Sequence, residues 1–312
     1  MGAVALADLA QPGVLSDPTP FADFLTYVLK PDPLEPDTIA DALNMLSNAR
    51  KSIGQKDTSA NLSVTVGFSD QGWARLFPDR PRPSELAPFK ERQEADRRFP
   101  STPGDVFIMV KSSRMDLNYQ ASKHLTFGLA PIASLIDDVQ GFVYLDDRDL
   151  IDFVDGTENP AGTARVDTVL VAAEGPDRGG SYLTVQKYTH RTTQWDALAT
   201  HEQEGVIGRT KFDDIEIPDA AKQPFAHNVR SKVTIDGTEM KMYRQNRPFG
   251  NALERGTMFV GFCASPSTIE KSLDRMIHAD EDGAYDHLLD FVDAVTGTNY
   301  FIPPQSLLDD YA

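Results

Sequence analysis

Phe153-Val154-Asp155-Gly156-Thr157-Glu158-Asn159-Pro160-Ala161-Gly162, at the middle of the chain, is the stretch from which the rest is read. Asp155-Gly156 and Asn159-Pro160 are both turn dipeptides. They follow the apolar pairs Leu150-Ile151 and Phe153-Val154, so a stiff loop leaves an apolar wall here. A carboxylate held there can take a proton from something bound beside it. The same aspartate can also do no more than cap its own turn. The flanking sequence decides between these readings.

Upstream, residues 1–20 are rich in Pro, Gly and Ala and predict a surface arm. Residues 21–29 read as a strand, ended by Pro31, Pro33 and Pro36. Asp37 is placed to cap a helix whose Ile39, Leu43, Leu46, Ala49 and Ile53 recur at helical steps. Next come a strand over 62–68, a long charged surface loop over 78–104 and a buried strand over 106–110. A helix is expected over 117–136 and a strand over 142–144. Downstream the rhythm returns. A strand over 182–188 precedes a helix marked by Trp195, Leu198, Ala199 and Val206. Residues 232–235 and 240–244 flank Asp236-Gly237, a hairpin signal. A strand over 257–263 leads to a helix with Ser267 and Glu270 spaced as a capping box. Residues 284–295 read as a final helix. Each half thus mixes strands and helices over a usual domain length. The fold class is α+β, two halves of similar plan, each an antiparallel sheet with helices on one face.

The 312 residues carry a net charge of −17, which argues against a nucleic-acid surface and an anionic membrane surface. No apolar run approaches the roughly 18 residues of a membrane span. The first residues show no basic region ahead of an apolar one, so no secretory signal is expected. Cys263 is the only cysteine, which excludes an intrachain disulfide. A cytoplasmic protein is expected.

Among six histidines, His227 stands out by context: it comes after Pro224-Phe225-Ala226 and precedes the hairpin. Strand alternation puts Met240, Met242 and Arg244 on one face, with Asn246 beside them if the strand continues. An arginine ending an apolar strip is costly unless it meets an anion or a reacting oxygen. No HxxxH, HExxH or CxxC spacing supports a metal site of several protein ligands. One histidine, one aspartate and one arginine in an apolar setting suit a cofactor that brings its own metal ligands, and haem is the natural candidate.

Six motifs occur in order: 153–160, Ile207-Gly208-Arg209-Thr210-Lys211, His227-Asn228, Arg244-x-Asn246-x-Pro248-Phe249-Gly250, 256–261, and Leu289-Asp290-Phe291 with Ala294-Val295-Thr296-Gly297. Over roughly residues 20–305 the chain resembles the dye-decolorizing peroxidases, most closely their short bacterial type B or P branch. The resemblance implies two ferredoxin-like halves of the dimeric α+β barrel superfamily, with haem b in the C-terminal half. The domains would be an arm (1–20), an N-terminal half (21–150) and a haem-binding half (151–312). Carried over, His227 is the proximal ligand, and Asp155, Arg244 and Asn246 lie on the distal side. Phe259 walls the pocket, Gly156 and Thr157 adjoin the cofactor, and Arg209, with Lys211 as a second candidate, balances its propionates. Asp286 accepts the other His227 N–H, with Asp290 as the fallback. The family signature usually reads Gly-x-x-Asp-Gly, and Asp152 stands where its first glycine would. Aspartate tolerates the left-handed backbone that glycine supplies there.

The implied activity is reduction of hydrogen peroxide with oxidation of small organic donors. A carboxylate, ionised above about pH 4, still serves as base in mild acid. Trp195 or Tyr243 could carry electrons at the surface, although for either one core packing is the commoner role. A homo-oligomer is expected, without nucleic acid or membrane. The chain lacks the long C-terminal tail with which some relatives enter encapsulin shells, so a free protein is expected. The alternatives are a haem-binding protein for storage or iron release, and a cofactor-free interaction protein.

Overall fold

The computed structural model describes residues 5–311. The strands of its main sheet are β1 (Phe21–Leu29), β2 (Ser63–Phe68), β3 (Val106–Ser112), β4 (Ala133–Phe142), β5 (Ser181–His190), β6 (Tyr243–Arg244), β7 (Arg247–Gly250), β8 (Arg255–Cys263), β9 (Val292–Ala294) and β10 (Thr298–Ile302). They lie in the order β6-β8-β7-β4-β1-β3-β2-β10-β5-β9, and β8 also pairs with β5, which closes the sheet into a barrel. Closure removes the sheet edges, which are otherwise templates for aggregation. The two sheets expected separately are therefore one.

Alternation along these strands sorts side chains to two sides. Phe24, Phe107, Met109, Val139, Leu183, Val185, Phe249, Met258 and Val260 form one buried cluster, the barrel's filling. Leu25, Tyr27, Leu29, Val64, Val66, Ile108 and Val110 have the opposite parity. They pack outside the barrel against α1 (Pro36–Gly54) and α2 (Met115–Leu129), through Leu43, Leu46, Ala121 and Leu125.

The first half runs β1-α1-β2-β3-α2-β4, with neighbours β4-β1-β3-β2. The second runs from β5 through short helices, including α3 (Thr200–Ile207), to β7, β8, α4 (Ser267–Ile277) and β10. Its neighbours are β7-β8-β5-β10, the same arrangement strand for strand. Within the halves the ladders are long, with seven register pairs between β1 and β3 and eight between β8 and β5. Each junction between halves has a single pair, Phe249 with Gly141 and Phe301 with Phe68.

Several expectations are corrected. The described part of the arm is not on the surface: Ala10 and Val14 join the barrel filling. Buried Gln11 donates to the Val66 and Pro303 carbonyls and accepts from the Val66 amide. Lys111, at the same end of the barrel, donates to the Ser16 and Asp17 carbonyls. A barrel end leaves polar groups uncovered, and this segment satisfies them. Helix α2 stops at Leu129, and β4 begins at Ala133. Pro131 has no N–H to continue the helix, and pairing with β1 makes residues 133–142 a strand. Asp37 does not cap α1; Pro36 fills its first position, and the Glu35 side chain makes no cap. The Ser267–Glu270 capping box is absent, because Glu270 turns to Arg92. Arg92 belongs to a hairpin, Arg92–Glu94 with Arg97–Phe99, so the loop over 78–104 straps α4 and buries Leu86, Phe89 and Phe99. The helix around Trp195 is split into Thr192–Asp196 and α3. The hairpin at Asp236-Gly237 joins Val233–Ile235 to Thr238–Met240, while Tyr243 and Arg244 pair with β8. The final helix over 284–295 is instead a 3₁₀ turn, His287–Asp290, and then β9, whose pairing with β5 overrides its helical spacing. Among the described residues no helix is long and apolar enough to cross a membrane.

Candidate active site

The outer face of β5 and β8 differs from that of the first half. Gln186, Tyr188 and His190 alternate along β5, and Thr257 and Phe259 stand opposite Tyr188 and Gln186 on β8. These five residues line a cavity of ≈ 390 Å³ under α4, which contributes Ile269, Leu273 and Met276. Gly261 continues the row, and a Cβ there would meet the Phe259 ring at 2.7 Å, so its bareness lets that ring lie flat.

The central loop closes one side. The Asp155 amide donates to the Asp147 carbonyl (3.0 Å), and the Asp149 amide to that of Phe153 (2.9 Å). Asp152 has φ +69° and Gly156 φ +88°, so aspartate does take the left-handed backbone here. The Asp152 side chain turns to Lys211, 3.1 Å away. Asn159 docks the loop on β6: its Nδ2 donates to the Arg244 carbonyl (2.8 Å) and its Oδ1 accepts from the Arg244 amide (2.9 Å). Asn246 Nδ2 donates to Asp155 Oδ2 at 2.9 Å, while its Oδ1 accepts from the Val260 amide. The Arg244 guanidinium lies 3.6 Å from Asp155 Oδ1, and each side chain keeps 27% exposure. Asp155, Arg244 and Asn246 thus form one polar group on the cavity wall, beside Met240 and Met242.

His227 begins a single helical turn, His227–Arg230, and lines the same cavity. Its Nδ1 lies 2.6 Å from Oδ2 of the fully buried Asp286, whose Oδ1 accepts from the Leu288 amide. Nε2 has no protein partner among the described residues. Asp290 accepts from the Tyr285 hydroxyl instead. Asp286 is therefore the carboxylate in contact, although on a turn rather than the expected helix. A carboxylate on one ring nitrogen fixes the tautomer and makes the other a better donor to a metal.

Arg209 lines the cavity with Nε on Asp214 (2.7 Å), and Thr157, also in the wall, donates to the same carboxylate. Phe259 is in the wall; Gly156 and Lys211 are not, and the Lys211 ammonium rests on Asp152 and Gln203. Trp195 and Tyr243 are fully buried, so both take the commoner role of core packing and neither is a surface electron carrier; the Trp195 indole N–H donates to the Ile151 carbonyl.

Sequence reading missed Asp149, His190 and Gln186. Gln186 and His190 on the face opposite Leu183 and Val185 were the available signal. Among the described residues, three buried polar atoms of the wall lack a hydrogen-bond partner: Gln186 Nε2, His190 Nδ1 and Asn228 Oδ1. With Phe153, Val154, Ile207, Leu288, Leu289 and Val292 around them, they suit a large apolar guest with a few polar edges. Among the described residues, no group of three or more His, Cys, Asp or Glu could hold a metal ion by itself.

Comparison with known proteins agrees with this geometry. Residues 11–143 match the family model of the Dyp-type peroxidase N-terminal domain, and residues 146–307 that of the C-terminal domain. A dye-decolorizing peroxidase of Rhodococcus erythropolis is 40% identical over 311 residues, 98% of this chain and 90% of that one. One from Mycobacterium tuberculosis is 39% identical, over 95% of this chain and 89% of its own. The encapsulated DyP-type peroxidase of Mycobacterium smegmatis superposes with TM-score 0.92 at 39% identity, covering 97% of this chain and 98% of that one. A Rhodococcus jostii DypB variant in complex with heme gives 0.91 at 36%, over 97% and 99%. With both halves matched by the family models and relatives of about 40% identity covering nearly the whole chain, the chain belongs to the Dyp-type peroxidases.

Proposed function

We propose that this peroxidase binds haem b in the 390 Å³ cavity and reduces hydrogen peroxide with electrons from small phenolic or dye-like donors. The observation that carries this reading is that His227–Asp286 and Asp155–Asn246–Arg244 open onto the same apolar space. His227 Nε2 would ligate the iron, the wall would sheathe the macrocycle, and Arg209 would face its carboxylate tails. When bound, the haem supplies the redox centre at which peroxide and electrons meet. Asp286 holds the Nδ1 proton of His227, and so keeps the ring aimed and electron-rich. Asp155 accepts the proton of one peroxide oxygen and returns it to the other, which leaves as water. Arg244, a preorganised cation, stabilises the negative charge that develops on the separating oxygen. Asn246 fixes the carboxylate by donating to it, and Phe259 keeps water off one side. Overall, peroxide takes up two electrons and two protons and yields two waters.

The same reading makes each half a ferredoxin-like unit, 21–150 and 151–312, supported by the shared strand order. It places the enzyme in the cytoplasm as a homo-oligomer. The test is the absorption spectrum of purified protein before and after one equivalent of hydrogen peroxide. A Soret band that changes and then recovers with a phenol is expected. Absence of the band removes the haem reading, and release of free protoporphyrin without peroxide would favour haem storage or iron removal.

A further inference from the structure

The inner end of the cavity holds a second acid–imidazole pair that the proposed mechanism leaves unused. His190 lies on the outer face of β5, its side chain 2% exposed and its Nδ1 3.4 Å from Asp149 Oδ1. The Thr257 hydroxyl donates to Asp149 Oδ2, and the Ile151 amide donates to Oδ1 at 3.2 Å. Asp149 keeps 19% exposure, and since it lines the cavity, that surface is turned to the guest rather than to bulk water. Its backbone belongs to the catalytic loop, because its carbonyl accepts the Asp152 amide at 2.8 Å. Yet His190 Nδ1 makes no well-directed hydrogen bond, and neither does Gln186 Nε2, four residues away on the same face. A buried polar atom left unpaired keeps the cost of its lost hydration. Two on one wall call for a water or a functional role.

We infer that Asp149 and His190 form a proton-holding pair at the inner end of the cavity, linked by ordered water to Asp155, and that the pair stores a proton which peroxide reduction takes up. This rests on the peroxidase reading. The pair holds one proton between carboxylate and imidazole and is then neutral. When the proton moves along the water to the product oxygen, the pair is left with one negative charge, and a solvent proton restores it. The two electrons come from the organic donor, so charge and atoms balance. Burial pushes the Asp149 carboxyl up, opposed by His190 and Thr257, and Asp155 pushes it further. Tyr188 is the titratable side chain between Gln186 and His190 on that face, and its hydroxyl donates to Gln186.

Cyanide binding to the holoenzyme separates this pair from Asp155 without turnover. Hydrogen cyanide binds as the anion, and its proton is either kept by the protein or released to the medium, where an indicator dye counts it. In wild type, proton release against pH is expected to show two steps. Asp149→Asn and His190→Gln should each abolish one, a one-proton change, at unchanged haem content, while Asp155→Asn keeps that step and loses the other. A merely structural role would alter affinity without removing a step. Wild-type profiles in the Asp149 and His190 variants overturn the inference, and so does loss of the same step in Asp155→Asn. A wild-type protein without haem would refute the peroxidase site itself and this inference with it. That outcome is recognised by the missing Soret band before any cyanide is added.

Discussion

The two halves lay four principal strands in the same order, yet one encloses solid packing and the other a cavity. Their first strands show the difference. The outer face of β1 carries Leu25, Tyr27 and Leu29, pressed against helices of 19 and 15 residues. The outer face of β5 carries Gln186, Tyr188 and His190, and the first crossover helix is reduced to short pieces such as α3, of eight residues. The inner faces of both contribute to one apolar filling. The barrel is thus maintained by one parity of each strand, which frees the other parity of one half for chemistry. Two aspartates show the same contrast. Asp23 is enclosed by Ser122 and Asn118 of α2, whereas Asp149 faces the cavity.

That division can be broken first at His227. His227→Ala should lose most of the haem, measured as Soret absorbance per protein, while the first half keeps its fold. An unchanged spectrum would mean that another residue is the ligand. Next come the two groups joined by Asn246. Arg244→Leu should slow the reaction with peroxide by about 10²–10³. Asp155→Asn falls in a range of about 10²–10⁴. Because an ordered water can replace part of a proton path but not a fixed charge, the arginine variant is expected to be the slower in stopped flow at matched haem content. The reverse order would make the carboxylate the leading group. Asp286→Asn is a smaller change: the imidazole donates less charge, and the ferric/ferrous potential should rise in a spectroelectrochemical titration. A rise with Asp290→Asn alone would contradict the contact seen here.

The smallest effect belongs to the packed half. Burial pushes the Asp23 carboxyl up from 3.8 to about 6, against hydrogen bonds from Ser122 and Asn118 and with Asp138 adding to it. Between those values the native state binds more protons than the unfolded one, so stability falls as pH rises through this window. Asp23→Asn removes that fall. The variant should be more stable at pH 7 by about 1–3 kcal/mol, with the advantage gone below pH 3.8. Equal gains at both pH values in thermal unfolding would show that packing, not ionisation, is the cause.

Part of this was legible because alternation survives in single strands: β1 and the core of β5 and β8 obey it. Met240, Met242, Arg244 and Asn246 do line the cavity, but Lys241 lines it too, and the segment is split between a hairpin and β6 rather than one alternating strand. The Asp155 loop was legible from its turn dipeptides. The features that escaped depend on partners distant in sequence. Residues 133–136 were expected to end a helix, but pairing with β1 makes them the start of a strand. The segment over 284–295 has helical spacing too, and β5 claims its end. Gln11 looks like an arm residue until Val66 and Pro303 are brought to it. His190 and Asp149 lie 41 positions apart, and no local pattern announces their meeting.

The single register pair at each junction bears on how the molecule comes apart. Where backbone ladders are long, separation means unzipping many hydrogen bonds; at Phe249–Gly141 and Phe301–Phe68 it means withdrawing mostly side chains. A chain nicked between residues 143 and 146 would therefore yield two pieces, each retaining its own four-stranded ladder. Their reassembly would be a matter of docking two surfaces, through apolar packing and side-chain bonds such as those of Arg92 to Glu270 and Asp274, sensitive to salt and temperature as a subunit interface is, rather than of refolding a sheet.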